Sequence, residues 1–537
     1  MADNRATPSI PQRENWGSKI GVILAVAGSA VGLGNFLRFP GVVVQNGGGA
    51  FMIPYFIAFL FLGIPVCWAE WIMGRRAGRC SGLSSSPGIF GVLTQGRAFR
   101  YFGTIGLFVP VMIYIYYVYV ESWCLAYTWF TLTGKMNLKG LGEQAYADFF
   151  NEFTGAQSTG RFFSSITTTY VFFLITFYFN FLLIYRGISR GIELFCRVAL
   201  PMLVFIAIIV VLRVVTLGAN PNNPAQSFTA GLAYMWNPRW EQLADVRVWI
   251  NAAGQIFFSL SVGFGVIVTY SSYLSKQDDV VLSGLTASAT NEFCEVCLGG
   301  LIVIPAAMIF LGLTQMQSVA DQGTFGIGFV TMPHIFDLMP GGRFFAALFF
   351  FLLFLAGITS SLSMLQPAIA FFEEGFGMNR RASVAILSTL TFLGSSAIIF
   401  SPGLTVMDTI DNYTSNIGMP LLALFEVIVF IFVLRVGVGI REANNGSDMR
   451  IPRLFGFVIT YITPVLLIAI LGWWVYDQYN LWTQPGQPPL TSLQQITLLC
   501  MAAVFVFMLI MTKLSWPRMQ RRYHAYQKAL GPDATDE

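Results

Sequence analysis

Two stretches of this chain, GSAVGLGNF (Gly28–Phe36) and LSVGFGVI (Leu260–Ile267), place glycines beside Ser29, Asn35 and Ser261 inside otherwise apolar runs. Asn291 and Glu292, with Glu295 one turn on, interrupt apolar sequence in the same way, as do Thr359, Ser360 and Ser361, and Tyr116, Tyr117 and Tyr119. A glycine inside a helix costs about 1 kcal/mol relative to alanine, and lipid offers no water to the loosened backbone. Such breaks expose carbonyls, amides and the dipole ends of two half-helices, which together can hold a small ion and a carboxylate. The side-chain hydroxyl and amide oxygens are of the kind a hard cation accepts. Each Ser or Thr alone ordinarily bonds back to its own helix, and glycines that merely permit close helix packing are the alternative reading.

Other chemistries find little support. The Cys residues at 67, 80, 124, 196, 294, 297 and 500 lie in or beside apolar runs and away from the long polar loops, so no external disulfide is expected. Cys294 and Cys297 form a lone C-x-x-C without a second pair, which reads as small-residue helix packing, and the two His, His334 and His524, cannot make a metal cluster. No H-E-x-x-H, G-x-S-x-G or P-loop pattern occurs, so an enzyme is not expected. Glu70 and Glu121 are intramembrane acids, functional candidates by default or a structurally paired set.

The elements that position these groups follow from composition. Of 537 residues, 55% are hydrophobic and 11% charged, against roughly a quarter charged in soluble chains. The apolar runs are near-continuous, which excludes a β-barrel pattern and predicts an all-α polytopic membrane protein. Hydropathy gives about twelve spans, with cores at 20–43, 50–74, 101–132, 164–185, 193–217, 248–274, 281–313, 341–374, 383–400, 404–436, 453–477 and 492–515. Three long polar loops, 134–162, 218–246 and 314–340, fall on one face. The opposite face carries five Arg between Arg75 and Arg100, then Arg186, Arg190, Arg380, Arg381 and the tail cluster Arg518, Arg521 and Arg522. The positive-inside rule makes this arginine face cytoplasmic, with both chain ends on it, in an inner (plasma) membrane. No cleavable signal peptide is visible. The net charge of +4 does not suggest a nucleic-acid partner; lipid is the expected surroundings.

The two breaks share a small-Val-Gly-apolar-Gly frame and lie five spans apart. Five is odd, so the second unit runs oppositely through the membrane, which is the pattern of inverted repeats with a binding site between them.

At this point GSAVGLGNFLRFP (Gly28–Pro40), NGGGAFMIPY (Asn46–Tyr55), IYYVYVESW (Ile115–Trp123), GQIFFSLSVGFG (Gly254–Gly265), TNEFCEVCLGG (Thr290–Gly300) and LAGITSSLSMLQP (Leu355–Pro367) resemble the neurotransmitter:sodium symporter family, above all its bacterial leucine-carrying members. The resemblance runs from about Arg13 to the twelfth span. It implies a sodium-coupled symporter that imports a neutral, mainly hydrophobic amino acid by alternating access. The implied organisation is a segment 1–19, a first five-helix repeat 20–217, a loop 218–247, a second repeat 248–436, two further helices 437–515 and a tail 516–537.

By position, the resemblance implies two Na+ sites. One uses Ala30, Asn35, Ser259 and Asn291 with the substrate carboxylate; the other uses Gly28, Val31, Ala356, Thr359 and Ser360. It implies a substrate pocket of Ser29, Ala30, Gly32, Leu33, Gly34, Ile113, Tyr117, Phe258, Ser259, Ser261, Phe264, Ser360 and Met364. Tyr117 would donate its hydroxyl to the carboxylate, while Ser29 stands where leucine carriers have Asn. Gly32 stands where monoamine carriers have Asp, leaving room for a substrate that brings its own carboxylate. Ile113, Phe264 and Met364 would leave a charged substrate side chain stranded at several kcal/mol.

The outer gate implied is Arg38 with Asp411, supported by Gln255, with Asp408 as the competing acid. The inner gate is Arg13 with Glu374, supported by Ser272 and Tyr273. Glu295 stands where chloride-dependent members have a Ser-type residue, so its fixed charge implies chloride independence, and it could carry a proton for part of the cycle. A channel would need a continuous polar lining, whereas the polar residues here cluster at one depth. A non-transporting amino-acid sensor on the same fold is the alternative.

Overall fold

The structure is a computed structural model that describes residues 16–95, 98–157, 160–163, 165–320, 323–483 and 490–530. Among the described residues, ten continuous apolar helices are long enough to cross a membrane: Gly49–Ser81, Phe99–Thr133, Thr167–Tyr185, Ile188–Val215, Val280–Phe310, Gly342–Phe376, Arg380–Ile399, Thr405–Asn444, Arg453–Asn480 and Ser492–Ala529. They match the predicted second to fifth and seventh to twelfth spans. The first is a bent pair, Lys19–Ala30 and Gly34–Gln45, turned by 46° at its break. The sixth is two half-helices, Val246–Leu260 and Val266–Ser272, each too short to cross alone. The chain is therefore an all-α membrane protein with broken first and sixth helices in inverted repeats.

Packing gathers the breaks at one place. The third span runs along the eighth, and the half-helix Val266–Ser272 lies against the second. The half-helix Lys19–Ala30 meets the fifth, seventh and eighth spans, and Gly34–Arg38 packs on Phe293–Gly300. The large aromatic core beside them, including Phe36, Trp71, Tyr114 and Trp123, is fully buried.

Two helices outrun their predicted cores. The second continues from 74 to Ser81 because Arg75, 0% exposed, is neutralised rather than solvated. Its Nε meets Glu442 Oε1 at 3.0 Å, its Nη1 donates to Asp278 O at 2.6 Å, and its Nη2 donates to the Glu442 carbonyl. Arg79 Nη1 also reaches Glu442 Oε1, at 2.9 Å. The twelfth continues to Leu530, so the described part of the predicted tail is helical.

The long loops are structured. They carry a hairpin of Ala219–Asn220 with Asn223–Ser227, and helices Glu143–Thr154 and Met332–Leu338. The last two helices are joined by the Tyr146 hydroxyl, which donates to Asp337, and by the edge of Tyr146 against His334 at 5.4 Å. Burial lowers the His334 pKa from its ordinary value, against the pull of Glu143 and Asp337.

Candidate functional site

The first span leaves helical geometry at Val31 (φ −72°, ψ 96°), which frees the backbone groups around it. The Gly32 N–H is tied off by Asn35 Oδ1 at 2.8 Å, and the Leu33 N–H donates to Tyr117 Oη at 3.2 Å. Across the break, Ser360 Oγ lies 3.4 Å from both Gly28 O and Val31 O and 3.1 Å from Ala356 O. Thr359 Oγ1 bonds back to Leu355 O and Ala356 O at 3.0 and 3.1 Å. Gly28, Val31, Ala356, Thr359 and Ser360 thus come together as an all-oxygen set, the donor chemistry a hard cation takes.

A second polar chain crosses the molecule. Asn35 Nδ2 donates to Asn291 Oδ1 at 2.9 Å, and Asn291 Nδ2 donates to Ser259 Oγ at 2.6 Å. Ser259 and Gln255 both donate to the Glu295 carboxylate. Every member is 1% exposed or less. The Glu295 carboxyl group therefore sits at the end of the chain that holds Asn35, Ser259 and Asn291, and its hydrogen bonds from Ser259 and Gln255 fix it there. Ala30 closes the half-helix and is buried. Glu292 takes a separate bond from the Tyr55 hydroxyl at 2.7 Å.

The sixth span breaks with three residues at positive φ: Ser261 (55°), Gly263 (68°) and Gly265 (76°). Ser261 is strained there, and its hydroxyl donates to Ser29 O at 3.5 Å, joining the two breaks. Gly265 is required, because a β-carbon would come 2.5 Å from Gly106 O and 2.8 Å from Gly106 Cα. Glu70 Oε1 accepts from Gly263 N–H at 2.7 Å, so this acid supports the break. Glu121 accepts from Asn180 at 2.7 Å, and Asn180 in turn accepts from Ser361 at 2.6 Å.

Between the breaks some of the predicted pocket residues meet. A β-carbon on Gly32 would lie 2.8 Å from Ser360 Oγ and 2.9 Å from Tyr117 Oη; one on Gly34 would lie 2.6 Å from the Phe258 ring. Ile113, Phe264, Met364 and Leu33 are buried. Ser29 meets Ser363 Oγ at 2.6 Å, a partner the sequence reading did not include.

On the loop face, Arg38 lies over the Phe258 ring, 4.4 Å from its centroid, while Asp411 accepts from Tyr116 at 2.6 Å and Ser415 at 2.8 Å. Among the described residues Arg38 and Asp411 form no direct ion pair within 4.0 Å. A cavity of ≈ 580 Å³ opens above them, lined by Arg38, Gln45, Arg247, Asn251, Asn412 and Asp477 among others. Asp408 is exposed and Asp411 is the acid at Tyr116.

On the arginine face, Arg13 lies outside the described residues. Glu374 accepts from Ser84 N at 2.5 Å, Ser85 N at 3.1 Å and Ser85 Oγ at 2.7 Å, and so anchors the segment leading into the short helix Ser86–Leu93. Ser272 donates to Thr269 O at 2.6 Å and Tyr273 Oη accepts from Gln366 at 3.1 Å. Trp16 and Glu193 tie the start of the first span to its neighbours. Trp16 donates to Tyr270 O at 3.1 Å with rings 5.1 Å apart, and Glu193 takes bonds from Gly17 and Ser18. Trp16 precedes the first apolar run and Glu193 opens the fifth; neither interrupts a span, so neither carried a signal.

The family model of the sodium:neurotransmitter symporters matches residues 13–148 and 143–516. The chain belongs to that family. It is 29% identical over 475 residues to an uncharacterised sodium-dependent transporter of Methanocaldococcus jannaschii, covering 86% of this chain and 90% of that one. It is 26% identical to the sodium-dependent neutral amino acid transporter B(0)AT3 of Rattus norvegicus, covering 86% and 84%. Its fold matches the crystal structure of MhsT in complex with L-phenylalanine with a TM-score of 0.73 and 26% identity, over 86% of this chain and 99% of that one. As a member of the symporter family the protein is a sodium-dependent membrane transporter and not an enzyme. Sodium is the ion its transport depends on, and hydroxyl and carbonyl oxygens are the donors such a hard cation takes.

Proposed function

We propose that the protein imports a neutral, mainly apolar α-amino acid together with sodium, by alternating access and without chloride. The observation that carries this reading is the meeting of Gly32, Tyr117 and Ser360 beside the freed carbonyls of Gly28 and Val31. A substrate carboxylate placed over Gly32 would meet the Tyr117 and Ser360 hydroxyls, which turn aside to admit it. Tyr117 oxygen already accepts from Leu33 N–H, which leaves its own proton to give to that carboxylate. The substrate amine then faces Ser261 and the backbone carbonyls, and its side chain meets Ile113, Phe264 and Met364.

Two sodium ions are assigned: one to Ala30, Asn35, Ser259, Asn291 and the substrate carboxylate, the other to Gly28, Val31, Ala356, Thr359 and Ser360. Glu295, one hydrogen bond beyond Ser259, supplies the negative charge that an anion would otherwise bring. The loop face is outward and the arginine face cytoplasmic, so the cavity over Arg38 is the entrance. Arg38 and Asp411 close the path beneath it through water, with Tyr117 and Phe264 below them. MhsT, crystallised with L-phenylalanine, fits this substrate class.

The experiment is a competition panel of twenty amino acids against one labelled neutral amino acid in proteoliposomes. Neutral apolar members should compete, and acidic and basic ones should not. Competition led by lysine or glutamate would contradict the pocket.

A further inference from the structure

The start of the first span is held by a carboxylate from another helix. Glu193, at the beginning of the fifth span and 5% exposed, accepts from Gly17 N–H at 2.7 Å and from the Ser18 hydroxyl at 3.0 Å. Ser18 is the residue that caps the half-helix Lys19–Ala30: its oxygen accepts from Gly21 N at 3.0 Å while its proton is committed to Glu193. Gly21 has no room for a β-carbon because the Glu193 carboxylate fills that space. The carboxylate thus lies against the positive end of the half-helix, where charge–dipole attraction adds to two charge-assisted hydrogen bonds. At the other end of the half-helix the backbone is already freed at Val31. A segment loose at one end and clasped at the other moves as a unit when the clasp is undone.

We infer that Glu193 is a cytoplasmic latch: its bonds to Gly17 and Ser18 hold Lys19–Ala30 against the fifth span, and their release is a step in opening the inner side. This rests on the alternating-access reading above. Glu193 touches neither of the assigned sodium sets, so it acts by positioning the half-helix.

A native reporter lies beneath. Cys196 is fully buried on the fifth span, and a β-carbon on Gly28 would come 3.5 Å from its sulfur. When the half-helix leaves the fifth span, Cys196 becomes reachable from the arginine face. The test labels the full chain in sealed inside-out vesicles with a membrane-impermeant maleimide and follows Cys196 by peptide mapping. In wild type, sodium should slow labelling. Glu193→Gln should raise the sodium-free rate about tenfold, the worth of one charge-assisted bond, and weaken substrate binding from the loop face in parallel; Glu193→Asp should restore part of both. If Glu193→Gln does not fold, Ser18→Ala, which removes one donor and leaves Gly17, should raise the rate by a smaller factor. Sodium-sensitive wild-type labelling with variants indistinguishable from wild type overturns the latch alone. Wild-type labelling indifferent to sodium and substrate contradicts both the latch and alternating access.

Discussion

At the scale of single residues, the proposed substrate class turns on Tyr117 and Gly32. Tyr117→Phe removes one bond to a charged group and keeps the ring, so affinity should fall by about 1.5–3 kcal/mol, roughly 10- to 150-fold, in a binding assay. Affinity within twofold of wild type would show that the hydroxyl does not hold the carboxylate. Gly32→Asp puts a second charge where the substrate's belongs. Two like charges about 4 Å apart cost roughly 4 kcal/mol at an effective dielectric of 20, nearly a thousandfold in affinity. The atoms its β-carbon meets are the hydroxyl ends of Ser360 and Tyr117, which can rotate away, so folding should survive. A stable mutant with wild-type affinity would remove the pocket assignment, and a mutant that loses thermal stability instead would favour a packing glycine. These residues were legible because each interrupts an apolar run. Ser363 and Trp16 were not: a serine among other serines and a tryptophan before a span carry no distinguishing pattern until the partner is known.

At the scale of elements, the breaks are built to be broken. Gly265 sits at φ 76° against the backbone of Gly106. Gly265→Ala therefore has strain and a clash to absorb, and detergent-solubilised protein should lose about 1–3 kcal/mol of stability, seen as a lower melting temperature. An unchanged melting temperature would mean that the close approach is not obligatory. Glycine spacing in the sequence placed both breaks, since paired glycines at matching depth in two halves fit broken helices better than close packing alone. The helix ends were less legible. Hydropathy stopped the second span at 74 because Arg75 reads as loop, yet Glu442, distant in sequence, makes burial of that arginine affordable. Removing one partner of such a buried pair costs about 3–5 kcal/mol, so Glu442→Ala should sharply reduce the yield of folded protein in the membrane.

At the scale of the whole molecule, the account joins two oxygen clusters and one carboxylate pocket across a broken-helix pair. If Glu295 supplies the negative charge, as proposed, transport should survive full replacement of chloride by gluconate; a strict chloride requirement would remove that role from Glu295. The family and its fold were legible from motifs spread over nearly the whole chain, but the clasp of Glu193 on Gly17 and Ser18 was not, because it joins residues far apart in sequence that each look ordinary. The most direct test is uptake of a labelled neutral amino acid into proteoliposomes of the purified protein, with an inward sodium gradient or with potassium alone. The account predicts concentrative uptake with sodium that collapses without it. Equal uptake in potassium, or sodium-dependent binding with no accumulation, would contradict it.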